Sequence, residues 1–391
     1  MLIEFRVKNY RSLRDEQVLS LVASRDKTWW DTHTLATGIK AAPALLRSAV
    51  IYGANASGKS NLIRALLDMR RMVEISATEI KPGQSLDAHP FLLDGDSPDQ
   101  PTEFEATFLL DGVRYQYGFA MSSQRIVSEH LLVYKAFKPQ YWIKRNDDTY
   151  HDCSALKGPK KTWESATRPN GLFLSTAVQL NSESLRPVYD WFVNKIAIVN
   201  EHSIIDPRLT TEHIKRNESR KNICAFLNAA DISIADIEVD TKTDKLRFHH
   251  VTEKGRAKFD FDDESNGTRH LLFLVAPVLD VLEKGLTLVV DELDASLHTL
   301  LVRELVRLFH RPETNTGGAQ LIFTTHDTSL LDADLFRRDQ VWLFEKDRDQ
   351  ASDLVSLSEF SPRKNEALGR GYLTGRYGGI PFLDHDLGLK H

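Results

Sequence analysis

Ser48-Ala49-Val50-Ile51-Tyr52-Gly53-Ala54-Asn55-Ala56-Ser57-Gly58-Lys59-Ser60-Asn61 is the stretch that decides the fold. It opens as a short apolar strand, passes through Gly53–Ser60, which fits G-x-x-x-x-G-K-[ST] in full, and enters a helical pattern over about 59–73. Glycines at the ends of such a loop let backbone N–H groups curl round an anion without a Cβ in the way. The helix start adds its dipole. Lys59 is placed to put a point charge on β- and γ-phosphates, and the Ser60 hydroxyl to ligate Mg²⁺.

Downstream, three further pieces fall where such a loop needs them. Residues 286–290 read as a buried apolar strand that ends in Asp291-Glu292. A carboxylate at that strand tip is a metal partner, so Asp291 is the expected Mg²⁺ ligand. Glu292 lies one residue beyond and is placed to polarise an attacking water. Residues 320–324 read as another apolar strand, followed by Thr325-His326-Asp327. His326 can hydrogen-bond a γ-phosphate or the attacking water. Between them, Glu264-Ser265-Asn266-Gly267-Thr268-Arg269 opens a helix near 268. Ser265 and Gly267 at a helix start make a second anion site. One nucleotide does not need two such sites in one chain, so the second is expected to serve a second copy.

The rest of the chain frames these parts. Residues 2–9 and 16–22 read as paired strands. Alternation over 103–119 around Asp111-Gly112 signals a hairpin. Strand-like pieces follow at 125–134 and 139–144, helices at about 184–194 and 209–229, and strands at 235–240 and 245–250. From 267 the order helix, strand, helix, strand, strand implies a largely parallel, covered sheet. The expected division is an N-terminal lobe over 1–144, a mainly helical insertion over 145–230 and a C-terminal lobe over 231–391. The basic run Lys215–Lys221 reads as a solvated helix face. Net charge is −5, which weighs against a whole-surface nucleic-acid binder. Cys153 and Cys224 have no metal or redox spacing and read as reduced thiols of a cytoplasmic protein. The N-terminus carries no signal pattern, and no apolar run is long enough to span a bilayer.

Taken together, Gly53–Ser60, Ser265–Gly267, Leu286–Glu292, the loop over 293–298 and His326 resemble the ABC-type ATPase heads of the SMC, RecF and RecN class. So does the opening Asn9-Tyr10-Arg11-Ser12-Leu13. The resemblance covers about 1–120 and 235–345. It implies an α/β ABC-type ATPase head with a mixed, mostly parallel sheet, an antiparallel β subdomain and a mainly helical insertion. The implied cofactors are ATP and Mg²⁺. The phosphate loop (Gly53, Asn55, Gly58, Lys59, Ser60, Asn61), Arg11 and, across a dimer, Ser265 and Gly267 would hold the nucleotide. Gln84 and Gln179 are the candidates for a metal-sensing glutamine. Glu264–Thr268, Asp291–His298 and the Gly-rich Tyr372–Pro381 resemble compact bacterial ATPases of phage-defence systems such as PARIS and Septu; the tail can also be read as a terminal turn docked on the core. That resemblance implies a homodimer or higher homo-oligomer and a separate effector, a nuclease or toxin. The competing readings are a DNA-repair or DNA-organising ATPase that clamps duplex DNA, and a nucleotide-gated scaffold with slow hydrolysis.

Overall fold

The computed structural model describes residues 1–135, 138–151, 153–199, 207–240, 245–362 and 366–381. Residues 200–206, inside the stretch read as an insertion, and 382–391, at the end of the C-terminal stretch, lie outside the described residues.

The strand of the phosphate loop, Ser48–Gly53, lies inside a six-stranded sheet. Spatial order across the sheet is Ile196–Val199, Thr287–Val290, Gln320–Thr324, Ser48–Gly53, Val341–Lys346, Ser352–Ser356. All neighbours run parallel except the last pair. The sheet is buried on both faces, which is why its strands read as continuous apolar runs. Ala49, Ile51, Val289, Ile322 and Phe344 face one core. Val50, Tyr52, Val290, Phe323 and Leu343 face the other.

On the first face lie the helix after the phosphate loop, Lys59–Ile75, and the helices Phe173–Gln179 and Arg186–Asn194. A seven-stranded antiparallel sheet packs against them. It holds Leu2–Lys8 paired with Gln17–Ser20, and the hairpin Thr102–Leu110 and Val113–Met121. Leu110 pairs with Val113 across Asp111-Gly112, the turn that the alternation predicted. The second face is covered by helices Asn266–Lys284 and Thr299–His310.

The stretch 145–230 is woven into both cores. Ile196–Val199 forms the sheet edge beside the strand of Asp291. Phe173–Gln179 begins on a buried carboxylate: Glu129 accepts hydrogen bonds from the Phe173 and Leu174 amides at 2.6 and 2.9 Å and from the Tyr117 hydroxyl at 3.0 Å. This satisfies helix-start N–H groups that burial would otherwise orphan. The segment read as one helix over 209–229 is two, Pro207–Lys215 and Asn217–Ala229, because Arg216 takes an extended conformation. The first of these packs on the Ser265 helix, where His213 Nε2 lies 2.9 Å from Asp280 Oδ1. Lys215, Arg216 and Lys221 are exposed. Both cysteines are buried and unbridged. The Gly-rich tail docks on the core: Tyr372 and Tyr377 are buried, the Tyr372 ring lies 5.7 Å from that of Tyr52, and its hydroxyl donates to the Gly379 carbonyl at 2.8 Å. No helix among the described residues is long and apolar enough to cross a membrane.

A buried histidine pair stands at the base of the phosphate-loop strand. The rings of His33 and His310 lie 3.8 Å apart, and His310 Nε2 is hydrogen-bonded with Ser48 Oγ at 2.8 Å. Burial pushes His33 down to about 4 and His310 well below its usual value. Between pH 6.5 and about 4 the unfolded chain therefore binds protons that the native fold refuses. Stability should fall as pH drops through that window, by roughly 3 kcal/mol from His33 alone. Urea unfolding at pH 7.5, 6 and 5 checks this, and equal unfolding free energies at all three would contradict it.

Candidate functional site

Parallel strands end on one side of their sheet, so the loops after Gly53, Val290 and Thr324 meet there beside the end of the strand Val341–Lys346. They enclose an open cleft of about 540 Å³ lined by residues 55–61, Arg64, Glu292, His326 and Lys346.

The phosphate loop is held tightly in this shape. Gly58 has φ +117, and a Cβ there would lie 2.5 Å from Ser352 Oγ and 3.1 Å from Ser12 Oγ. Those two hydroxyls hydrogen-bond at 2.8 Å, and Asn61 Nδ2 donates to Ser12 Oγ at 2.8 Å. Asn61 therefore locks the Asn9–Leu13 turn to the loop. Asn9 anchors the turn from the other side, accepting from the Phe91 amide at 2.9 Å and donating to the Ser97 and Gln100 carbonyls. Lys59 folds back and donates to the Gly53 and Ala54 carbonyls at 2.9 and 3.0 Å. Burial lowers its pKa to about 8, while Glu292 and Asp291 act in the opposite direction. Its ammonium is thus poorly hydrated and poised for an anionic partner.

On one flank of the loop, Glu292 Oε1 stands 4.0 Å from His326 Nε2. Burial first, and then the charge of Lys59, lowers the His326 pKa. Both effects favour the neutral ring, which has one N–H to donate and one nitrogen to accept. Asp291 occupies the strand tip beside Glu292, and Thr324 Oγ1 donates to its Oδ1 at 2.7 Å. On the other flank Lys346 ends the strand whose Phe344 pairs with Gly53.

Among the described residues no group of three His, Cys, Asp or Glu side chains could hold a metal ion. Mg²⁺ at nucleotide sites takes one or two carboxylates with substrate phosphates and water. The hard oxygens of Ser60 and Asp291 fit that pattern. Two buried polar atoms nearby, Ser57 Oγ and Asp294 Oδ1, lack hydrogen-bond partners among the described residues, as expected of a site shaped for a polar ligand.

The cleft thus brings together Asn55, Gly58, Lys59, Ser60, Asn61, Glu292 and His326, with Gly53 at its base and Asp291 at its side. Arg11 does not line it. Its Nε donates to the Tyr10 hydroxyl at 3.2 Å, and that hydroxyl donates to Asp68 at 2.6 Å. Ser265 and Gly267 also lie outside this cleft. Ser265 caps its helix, accepting from the Thr268 amide at 3.1 Å, and Gly267 approaches the Ser296 carbonyl of the loop after Glu292. Gln84 and Gln179 are exposed and not among the cleft residues. Sequence reasoning missed Arg64 and Lys346. Arg64 shares a helix face with Ser60 at i, i+4, a signal that was present. Lys346 has no local motif, because only the sheet order brings it here.

Residues 48–332 match the protein family described as "AAA domain, putative AbiEii toxin, Type IV TA system". No curated protein matches the chain. Among solved structures it is similar to an SMC head domain from Thermotoga maritima, at 14% identity and TM-score 0.42, over 91% of this chain and 98% of that one. It is also similar to an SmcHead bound to the C-winged helix domain of ScpA, at 14% identity and TM-score 0.43, over 91% and 97%. A third is an Smc head domain with an extended coiled coil bound to the C-terminal domain of ScpA derived from Pyrococcus furiosus, at 12% identity and TM-score 0.41, over 92% and 97%. The family match spans more than half of the chain and contains the phosphate loop, Asp291, Glu292 and His326, and the chain belongs to this family of AAA-type P-loop ATPases.

Proposed function

We propose that this protein binds ATP with Mg²⁺ and hydrolyses it in a site completed by a second copy of the chain, as the sensor and regulator of a bacterial anti-phage defence system that acts on a separate effector. The observation that carries the hydrolytic part is the convergence of Lys59, Glu292 and His326 on one cleft. The backbone N–H groups of 55–60 and Lys59 hold the phosphates. Ser60 and Asp291 would hold Mg²⁺, which when bound would neutralise phosphate charge. Glu292 orients the attacking water and takes its proton. Neutral His326 donates its ring N–H to the γ-phosphate oxygens as they gain charge.

The position of Ser265 supports the dimer. Its helix start, with Gly267, does not line the chain's own cleft and lies against Ser296 of the 293–298 loop. A helix start with available N–H groups suits the γ-phosphate of another copy. A nucleotide clamped between the two would be shielded from water, where charge stabilisation is stronger. The family's kinship with a putative toxin of a toxin–antitoxin system, and the tail and signature residues that resemble phage-defence ATPases, support the defence role. ATPase activity stimulated by DNA with a steep salt dependence would favour the DNA-organising alternative instead.

Two predictions follow from this geometry. Glu292→Gln should bind ATP like wild type but turn over about 10²-fold more slowly or worse. Wild-type turnover in that variant would remove Glu292 from the mechanism. Lys59→Ala and Ser265→Arg should each be inactive alone. Mixed one to one and allowed to exchange, half of the dimers carry one complete site of their two, and activity should recover to about a quarter of wild type. A Ser265→Arg chain that hydrolyses ATP normally by itself would contradict the composite site.

A further inference from the structure

The strand that leads to His326 is apolar between its two end residues, Gln320 and Thr324. Thr324 follows Leu321, Ile322 and Phe323 and is fully buried. A buried hydroxyl is costly unless its hydrogen bonds are made, and valine would fill the same space without that cost. The bonds of its hydroxyl and of its carbonyl go to one segment. Its Oγ1 donates to Asp291 Oδ1 at 2.7 Å and accepts from the Glu292 amide at 2.7 Å. Its carbonyl accepts from the Leu293 amide at 3.1 Å. Three successive residues, 291 to 293, therefore hang on this threonine.

The two bonds to the hydroxyl do different things. A carboxylate rotates about its own axis, and a donor fixed on Oδ1 stops that rotation and directs the second oxygen toward a cation. Glu292 has φ +56, a left-handed conformation that a non-glycine residue rarely adopts. Its amide, turned out of the strand ladder, finds its acceptor in the Thr324 hydroxyl. The following residues tie the same strand end to the rest of the site. The Thr325 amide donates to the Ile51 carbonyl at 3.2 Å, and the His326 amide to Asp294 Oδ2 at 3.3 Å.

We infer that Thr324 is a positioning residue for the metal and water side of the site, its single hydroxyl setting the Asp291 carboxylate and the Glu292 backbone at once. This rests on the ATPase reading above. The hydroxyl touches no phosphate and moves no proton in the reaction. It acts through the two carboxylate residues, so its loss should spare nucleotide binding without metal and damage what depends on Mg²⁺.

Calorimetric titration of ATP into wild type, Thr324→Val and Thr324→Ser, in EDTA and over a series of Mg²⁺ concentrations, tests this together with turnover. In EDTA all three should bind ATP within about twofold of one another. In Thr324→Val the Mg²⁺ concentration for half-maximal enhancement of binding should rise about tenfold, the scale of one lost charge-assisted hydrogen bond, and turnover should fall. Thr324→Ser, which keeps the hydroxyl, should recover both. A folded Thr324→Val chain with the wild-type Mg²⁺ response overturns the inference. So does the unfolding of both Thr324→Val and Thr324→Ala at 25 °C, since that assigns the hydroxyl to stability alone. A wild-type chain that binds no ATP at all would instead overturn the nucleotide reading, and this inference with it.

Discussion

Strand Ser48–Gly53 is hydrogen-bonded on both sides, to Gln320–Thr324 and to Val341–Lys346, and both neighbours run parallel to it. That pairing is the constraint on which the site depends. With Thr287–Val290 paired to the outer side of Gln320–Thr324, it sets the ends of four strands side by side, so that the loop holding Lys59 opens between Glu292 and His326 on one flank and Lys346 on the other. Parallel strands leave their side chains buried on both faces, and the chain covers them with two cores built from distant segments. A slip of one residue in this register would turn Ala49 and Ile51 into the space of Val50 and Tyr52 and displace every group in the cleft.

Electrostatics in the cleft follow from the same burial. Lys59 is desolvated, and Glu292 and Asp291 offset only part of that. Burial and Lys59 both favour the neutral form of His326. A polyphosphate entering this cleft would exchange the Lys59 bonds to the Gly53 and Ala54 carbonyls for direct charge pairing. Hydrogen bonds among Ser12, Asn61 and Ser352 make the loop rigid at the point where Gly58 leaves no room for a Cβ.

Much of this was legible in the sequence, for identifiable reasons. The phosphate loop, the Asp111-Gly112 hairpin and the helix–strand alternation after 267 are local patterns, carried by turn residues and by periodicity. Asp291, Glu292 and His326 follow the ends of apolar strands, and Lys59 and Ser60 open the helix after the loop that leaves another, so their meeting in or beside one cleft was legible. What was hidden depends on tertiary partners. Ile196–Val199 is four residues long, and the strand it pairs with, Thr287–Val290, lies far downstream in the sequence. Phe173–Gln179 starts on Glu129, which belongs to a different sheet. Lys346 reaches the cleft through the sheet order, and Thr324 reads as one more residue of a buried strand until its two hydrogen bonds are seen. Arg11 is the converse case: its motif resembles a nucleotide-contacting one, yet its side chain turns toward Tyr10, and its amide is held by the His89 carbonyl at 2.6 Å.

The central claim is that one nucleotide sits in the Lys59 cleft and is closed over by Ser265 of a second copy. A crystal structure of Glu292→Gln with ATP and Mg²⁺ tests it most directly. The account predicts the β-phosphate cradled by the amides of 55–60, the metal between Ser60 and Asp291, and the helix start of the second copy's Ser265 on the γ-phosphate. A nucleotide bound away from the phosphate loop, or one sealed by a single chain with Ser265 of every copy facing solvent, would contradict it.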